Sequence, residues 1–357
     1  MEYCLEIPIN PVSFGQVSVS LLREMKGRGL DPCVFPINNP DLSTHNKDED
    51  FEKWLSKNIL RANKDHDRNN TSIKLWHLNG ALSSVSKEQL LFTFYELDNP
   101  TQTEVNIAKN NNVVTSSKYS QQVFESRDVK THYVPLGFDS FNFKRIEKDF
   151  FQDGRITFNL CGKFEHRKHH AKIIRAWLKK FGNNKKYYLQ CSNYNNFFSP
   201  EDNQKIIQEI VQGNSFFNVN FVGFMSTNNL YNDFLNSSNI IIGMSGGEGW
   251  GLPEFQSTAM GKHSVILNAH AYKDWANEEN SILVPPSGKI NAYDGKFFVE
   301  GTEYNQGQIF DWNEDDFISA CEEAIKRVES NPTNEEGLKL QEEFTYSKTL
   351  DKLLELI

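Results

Sequence analysis

The chain has 357 residues, of which 38% are hydrophobic and 24% charged, with a formal net charge of −9. This length is comfortable for two domains, and the acidic balance does not advertise nucleic acid binding. No apolar run nears the ~18 residues of a membrane span, and the N-terminus has neither the basic region nor the apolar core of a signal peptide. Five scattered cysteines (Cys4, Cys33, Cys161, Cys191, Cys321) form no C-x-x-C pair. They read as reduced, mostly buried thiols of a cytoplasmic protein.

Residues 1–22 predict a short strand, a turn at Gly15 and a helix marked by Val17, Val19, Leu21, Leu22 and Met25. Residues 31–36 predict a second strand and residues 51–62 a helix. Strands follow at 73–78, 90–96 and 112–117, then a helix at 120–124 and a closing extended segment at 132–139. Residues 144–154 are polar and read as a linker. The pattern then restarts, with strands at 156–160, 186–191, 219–222, 240–242, 264–267 and 281–284. Helices are expected at 169–181, 200–212, 230–235, 313–329 and 347–357. Alternating short apolar strands and helices predict α/β domains with parallel sheets. Two such domains place a crevice where the carboxyl ends of their strands face each other.

Two stretches carry chemistry. After Ile240, Ile241 and Ile242 come four glycines in six positions, Gly246, Gly247, Gly249 and Gly251, with Glu248 and Trp250 between them. Leu252 follows, then Pro253, well placed to open a helix that Gly261 ends. A glycine loop at a helix N-terminus offers backbone N–H groups to phosphate. Glu248 would repel phosphate, so it is expected to serve sugar hydroxyls beside it. Glu254, in the first helical turn, reads as an acid complementing the helix dipole.

The second stretch is Cys161-Gly-Lys-Phe-Glu-His-Arg-Lys-His-His170, again between strand and helix. Lys163 and Lys168 are five apart across a tight turn and are expected to converge on one anion, stabilising charge on a diphosphate leaving group. Residues 163–186 hold nine Lys/Arg and one Glu, and the basic residues beyond 171 read as solvated surface.

In combination these motifs resemble the retaining, GT-B-fold nucleotide-sugar glycosyltransferases of family 4. The resemblance rests on Gly162-Lys163 with Lys168, and on Ser245 with Glu248-Gly-Trp-Gly-Leu-Pro253. It is joined by Val134-Pro-Leu-Gly-Phe-Asp139 with Phe143, Val113-Val-Thr-Ser-Ser117 and Ser13-Phe-Gly-Gln16. It covers the C-terminal half nearly throughout and the N-terminal half in patches. It implies two Rossmann-like parallel-sheet domains facing across a cleft. Residues 1–145 would form an acceptor domain joined by the helix at 346–357, and residues 146–340 would bind the nucleotide-sugar. It implies Glu248, Lys163 and Lys168 as catalytic residues. Gly15, Gly223, Phe224, Gly247, Gly249, Trp250, Gly251, Leu252 and Gln256 would bind the donor. His77 and Glu96, at predicted strand ends, are candidates for the acceptor side. Gln256 departs from the family, which has a glutamate there that contacts the nucleotide ribose. A Gln amide accepts a hydroxyl hydrogen bond without charge assistance.

The implied reaction moves a sugar from the nucleotide-diphosphate donor to an acceptor hydroxyl of a glycan, with no metal and no cofactor beyond the donor itself. A second reading is a phage-type DNA glycosyltransferase acting on a hydroxymethylated base. A third is a non-catalytic sugar-nucleotide-binding protein. Gly243-Met-Ser-Gly-Gly247 also fits the G-x-S-x-G elbow of a hydrolase, but only His263 and His270 follow it and no spare strand carries an acid. The D-x-D pairs at Asp48/Asp50 and Asp65/Asp67 lie in polar loop sequence and read as solvated surface.

Overall fold

Short strands of two to six residues, the central ones apolar and buried on both faces, build the two sheets of the computed structural model, which describes residues 3–357. The first half runs β1 (Tyr3–Pro8), α1 (Ser13–Gly27), β2 (Cys33–Ile37), α2 (Glu49–Ala62), β3 (Thr71–Leu75), β4 (Gln89–Thr93), α3 (Gln102–Lys109), β5 (Asn112–Thr115), α4 (Lys118–Glu125) and β6 (His132–Tyr133). After a stretch without regular structure the second half runs β7 (Ile156–Cys161), α5 (His170–Phe181), β8 (Tyr187–Ser192), α6 (Pro200–Val211), β9 (Val219–Phe221), α7 (Asn228–Asn236), β10 (Ile240–Gly243), α8 (Leu252–Ala259), β11 (His263–Leu267) and β12 (Ile282–Val284). The chain continues through β13 (Pro286–Asn291), β14 (Gln308–Trp312), α9 (Glu314–Ser330), α10 (Glu335–Leu338), α11 (Leu340–Glu343) and α12 (Tyr346–Leu354). The opening strand was expected from residue 1; Met1 and Glu2 lie outside the described residues.

The first sheet has the order β2-β1-β3-β4-β5-β6 and the second β12-β11-β10-β7-β8-β9. Every pairing in both is parallel. Strands such as Ile240, Ile241 and Ile242 are wholly buried, as a sheet covered by helices on both faces requires. Each sheet reverses its direction of growth once. In the first this happens between β1 and β3, and in the second between β7 and β10. Loops leaving neighbouring strands at such a point diverge to opposite faces and leave a crevice. The four loops concerned are those after β1, β3, β7 and β10, and they hold most of the residues singled out by sequence.

Several elements differ from expectation. Gly15 was expected at a turn, but it stands in the first turn of α1. A Cβ there would lie 2.1 Å from the carbonyl oxygen of Asn10, so glycine lets the chain fold back onto its own helix start. β3 ends at Leu75 and β4 at Thr93, so His77 and Glu96 follow their strands instead of closing them. Neither α3 nor the antiparallel hairpin β13–β14 was anticipated.

That hairpin and the loop at its tip reach from the second half onto the first. Lys289 Nζ pairs with Asp98 Oδ2 at 2.7 Å, Gln308 N donates to Asp98 Oδ1 at 2.7 Å, and Asn305 N donates to Glu104 Oε1 at 3.0 Å. Ala292, Phe298 and Ile309 share one apolar cluster with Leu78, Tyr95 and Leu97. The last helix, α12, packs on α1, where Asp351 takes an ion pair from Arg28 at 2.5 Å and Thr349 Oγ1 donates to Pro135 O at 2.8 Å.

Candidate functional site

The glycine loop leaves β10 at the reversal of the second sheet and is buried throughout residues 243–251. It lies directly against the first half. A Cβ on Gly247 would stand 2.7 Å from Glu96 O, and one on Gly249 would stand 2.7 Å from Phe94 Cβ. Only glycine permits that approach without moving backbone. Ser116 Oγ donates to Gly249 O at 2.7 Å, fixing the contact from the first half. Gly251 adopts φ 82 as the N-cap of α8, with Leu252 and Pro253 opening the helix.

Across the reversal, the chain leaving β7 makes a short 3₁₀ turn, His166–Lys168, before α5 begins. His169 joins them in the left-handed region, at φ 54, a conformation that costs a non-glycine residue energy. Its Nε2 is 2.8 Å from Phe310 O on β14. The break points Arg167 and Lys168 at the glycine loop. Lys168 Nζ donates to Glu248 Oε1. Arg167 NH1 lies 3.0 Å from the same oxygen and donates to Gly247 O at 2.6 Å. Arg167 also pairs with Glu96 at 3.0 Å and with Glu165 at 2.9 Å. Lys163 Nζ pairs with Glu165 at 2.7 Å and sits between the rings of Phe197 and Phe297, 4.9 and 5.0 Å from their centroids. The two lysines therefore each hold a separate carboxylate rather than meeting at one point.

The electrostatics follow from this packing. Burial works to raise the pKa of Glu248, but the charges of Lys168 and Arg167 overcome it and hold the carboxyl well below its usual range. Glu165 is held down to about 2, because Arg167, Lys163 and Lys168 outweigh its burial. Glu96 is pushed the other way, up to about 7, by burial against the pull of Arg167, with repulsion from Glu248 and Glu165 adding to it. The site thus presents charged Glu248 and Glu165 on one side and a carboxyl poised near neutrality on the other.

His77 caps the 3₁₀ turn after β3. Its ring lies 4.7 Å from that of Phe14, and burial and then the Lys163 charge lower its pKa. The start of α1 and the turn after β3 thus meet at this ring pair. Gly223 lines a cavity of about 160 Å³ beyond the ends of β8 and β9, with Phe164, Asn193 and Val222. Phe224 lies outside that lining and is 54% exposed. Trp250 is core: its ring packs on Phe255 and Phe344, and its carbonyl accepts from Trp275 Nε1 at 3.0 Å. Gln256 is buried, with Oε1 3.4 Å from the backbone N of Asp139 on the segment joining the halves. Ser245 directs its hydroxyl to Gly247 O at 3.1 Å, and His270 contacts the Ser245 carbonyl rather than that hydroxyl. That is not a nucleophile–base pair. Asp48 caps α2 and pairs with Arg23 at 2.8 Å. Among the described residues no group of three or more His, Cys, Asp or Glu side chains is placed to hold a metal ion, and no helix is long and apolar enough to cross a membrane.

Sequence reasoning missed Arg167 and Glu165. The signal was present: a single carboxylate amid nine basic residues, two positions from Arg167 and two from Lys163, invites pairing rather than solvation.

No family model matches the sequence, and no curated protein matches it. Solved structures do. The chain superposes on a sucrose-phosphate synthase from Thermosynechococcus elongatus with TM-score 0.70 and 12% identity, covering 99% of this chain and 98% of that one. A glycosyltransferase from Rickettsia africae gives 0.66 and 14%, over 99% and 97% of the two chains. HepE from Anabaena, solved in complex with UDP-glucose, gives 0.66 and 12%, over 100% and 99%. These likenesses show the fold: two Rossmann-like parallel sheets facing across a cleft, the GT-B architecture.

Proposed function

We propose that this chain is a retaining glycosyltransferase that moves a sugar from a nucleoside-diphosphate donor to an acceptor hydroxyl, with a glycan as the acceptor. The observation that carries this reading is the meeting of two loops at the reversal of the second sheet. One brings Lys163, Arg167 and Lys168, the other Glu248 on a glycine loop, and both face the first half. UDP-glucose bound to HepE, which shares the fold, supports a nucleotide-sugar as the donor.

In this mechanism the second half, residues 146–340, holds the donor. Lys163 and Lys168 neutralise the departing diphosphate, which displaces Glu165 and Glu248 as their counter-charges. No metal is needed for that step. Amides of Gly247, Gly249, Gly251 and Leu252, with Gly15 opposite, add hydrogen bonds to the phosphates. Glu248, charged at neutral pH, accepts from sugar hydroxyls. Gly223 lines the cavity that takes the base, with the exposed Phe224 ring next in the chain, and Gln256 lends its amide near the ribose. Residues 1–145 with the helix at 346–357 hold the acceptor, with His77 and Glu96 beside its hydroxyl. The hydroxyl attacks from the leaving-group face, and a donor phosphate oxygen takes its proton. The cytoplasm supplies such donors.

The test is a thermal-shift panel of nucleotide sugars on the purified chain, since a bound donor raises stability by mass action. Turnover of the stabilising donor is then measured. Lys168→Ala and Glu248→Ala are each expected to lower turnover on the order of a hundredfold or more, the usual cost of losing a charge partner in the transition state. Near-normal turnover in both variants would overturn the assignment.

A further inference from the structure

Arg167 stands between all the groups just assigned and has none of their roles. It is 6% exposed. A guanidinium buried to that degree is costly unless each of its faces is paired. Its contacts run in three directions. NH2 pairs with Glu96 of the first half at 3.0 Å, and Nε lies 2.9 Å from Glu165 of its own turn, an ion pair without hydrogen-bond geometry. NH1 reaches the glycine loop, at Glu248 Oε1 (3.0 Å) and Gly247 O (2.6 Å). Its backbone joins in, because Gly246 N donates to Arg167 O at 2.7 Å. Residues 246, 247 and 248 are thus all held by residue 167, and the other end of the grip is on the opposite half of the molecule.

We infer that Arg167 is a positioning residue: it fixes Glu248 and the glycine loop when Glu96 closes against it, so that approach of the two halves and alignment of Glu248 are one event. The inference rests on the assignment of Glu248 to the sugar. Lys168 cannot substitute, because its ammonium is a point charge already on Glu248. Only a planar fork addresses Glu96, Glu165 and Glu248 together. Glu96 is the element that makes the grip conditional. It follows β4 in the first half and meets the second half at this guanidinium and, through its carbonyl, at Gly247.

The experiment uses the full chain with R167K, E96Q and the double variant. Three readouts are taken: the UDP-induced thermal shift, kcat and KM for UDP-glucose hydrolysis, and hydrogen exchange of the amides of residues 246–251 without nucleotide. R167K is expected to melt as a folded protein and keep its UDP shift, while kcat falls about thirtyfold and KM changes little. E96Q is expected to lower kcat about tenfold. The double variant should be no worse than R167K, because the two residues act as one contact. Loop amides should exchange about tenfold faster in both single variants. Unchanged loop exchange, unchanged kcat in R167K, or fully additive losses in the double variant would each overturn the inference. Failure of the donor assignment shows differently, as no UDP shift in the unmodified chain; loop exchange then still decides whether Arg167 positions the loop.

Discussion

Glu254 occupies the first turn of α8, where an acid ordinarily faces solvent and complements the helix dipole. Here the side chain turns inward. It is 3% exposed, and its Oε2 has no hydrogen-bond partner among the described residues. Burial pushes its carboxyl from 4.5 up to about 7, against the pull of Lys168 and with repulsion from Glu248. Between those values the folded protein binds more protons than the unfolded chain, so this group makes stability fall as pH rises from 4.5 to about 7. Glu96 has the same sign, whereas Glu165 and Glu248, held low, contribute stability that is lost as pH falls below the ordinary carboxylate range. Glu254→Gln is expected to shrink the drop in Tm between about pH 5 and about pH 8; a drop of unchanged size would assign the titration to other groups. The inward turn of Glu254 could not be read from sequence, because a helix position fixes a face only once the neighbouring elements are known. Lys163, Lys168 and Glu248 were legible for the opposite reason: each stands a few residues past an apolar run, and a strand end is a place in space as well as in sequence. Arg167 was hidden by its neighbours, one cation in a basic run.

At the scale of elements, the parallel strands were legible because burial on both faces leaves an unbroken apolar signature. The hairpin β13–β14 was not. β13 is Pro-Ser-Gly-Lys-Ile-Asn with almost every residue exposed, and its partner alternates weakly. The hairpin is made by its contacts with both halves, at Asp98 on one side and at Gly246, Lys172 and Met244 on the other, not by its own propensity. Asp98→Ala removes the acceptor for both Lys289 and Gln308 N. The expected loss is about 0.5–1.5 kcal/mol in urea unfolding, since both bonds lie at the surface where water can take the place of the lost acceptor; a loss near zero would mean that other contacts hold the hairpin. Helix α3 had a usable signal that went unread. Thr101 and Glu104 form a reciprocal capping box, the S/T-x-x-E pattern of a helix start. Glu104 is also the acceptor for Asn305 N and Tyr95 Oη, so the helix start anchors the hairpin tip.

Across the whole molecule, the two halves are tied at several separated places. Lys118 N donates to Asp274 at 2.9 Å, Gln16 and Asn228 exchange amide hydrogen bonds at 3.1 and 3.3 Å, and Asn228 N donates to Thr44 O at 2.7 Å. With the hairpin and α12, these contacts make each half part of the other's core. Scanning calorimetry is therefore expected to give one transition with matching calorimetric and van't Hoff enthalpies. Two resolved transitions would show that the halves melt independently. The two-domain plan was legible from the restart of the α/β pattern after residue 154, but these ties were not, because they join residues far apart in the chain. The packing of α12 on α1 has a consequence for synthesis. Arg28 and Asp351 are 323 residues apart, so at about 5–20 residues per second the ribosome delivers the second roughly 15–65 s after the first. For that interval the surface of α1 that receives Leu350 and Leu353 is uncovered, as is the apolar face that awaits the hairpin. The half translated first is the half completed last, and a nascent chain stalled in between would present chaperones with a paired sheet and its own helices, still lacking α12 and the hairpin.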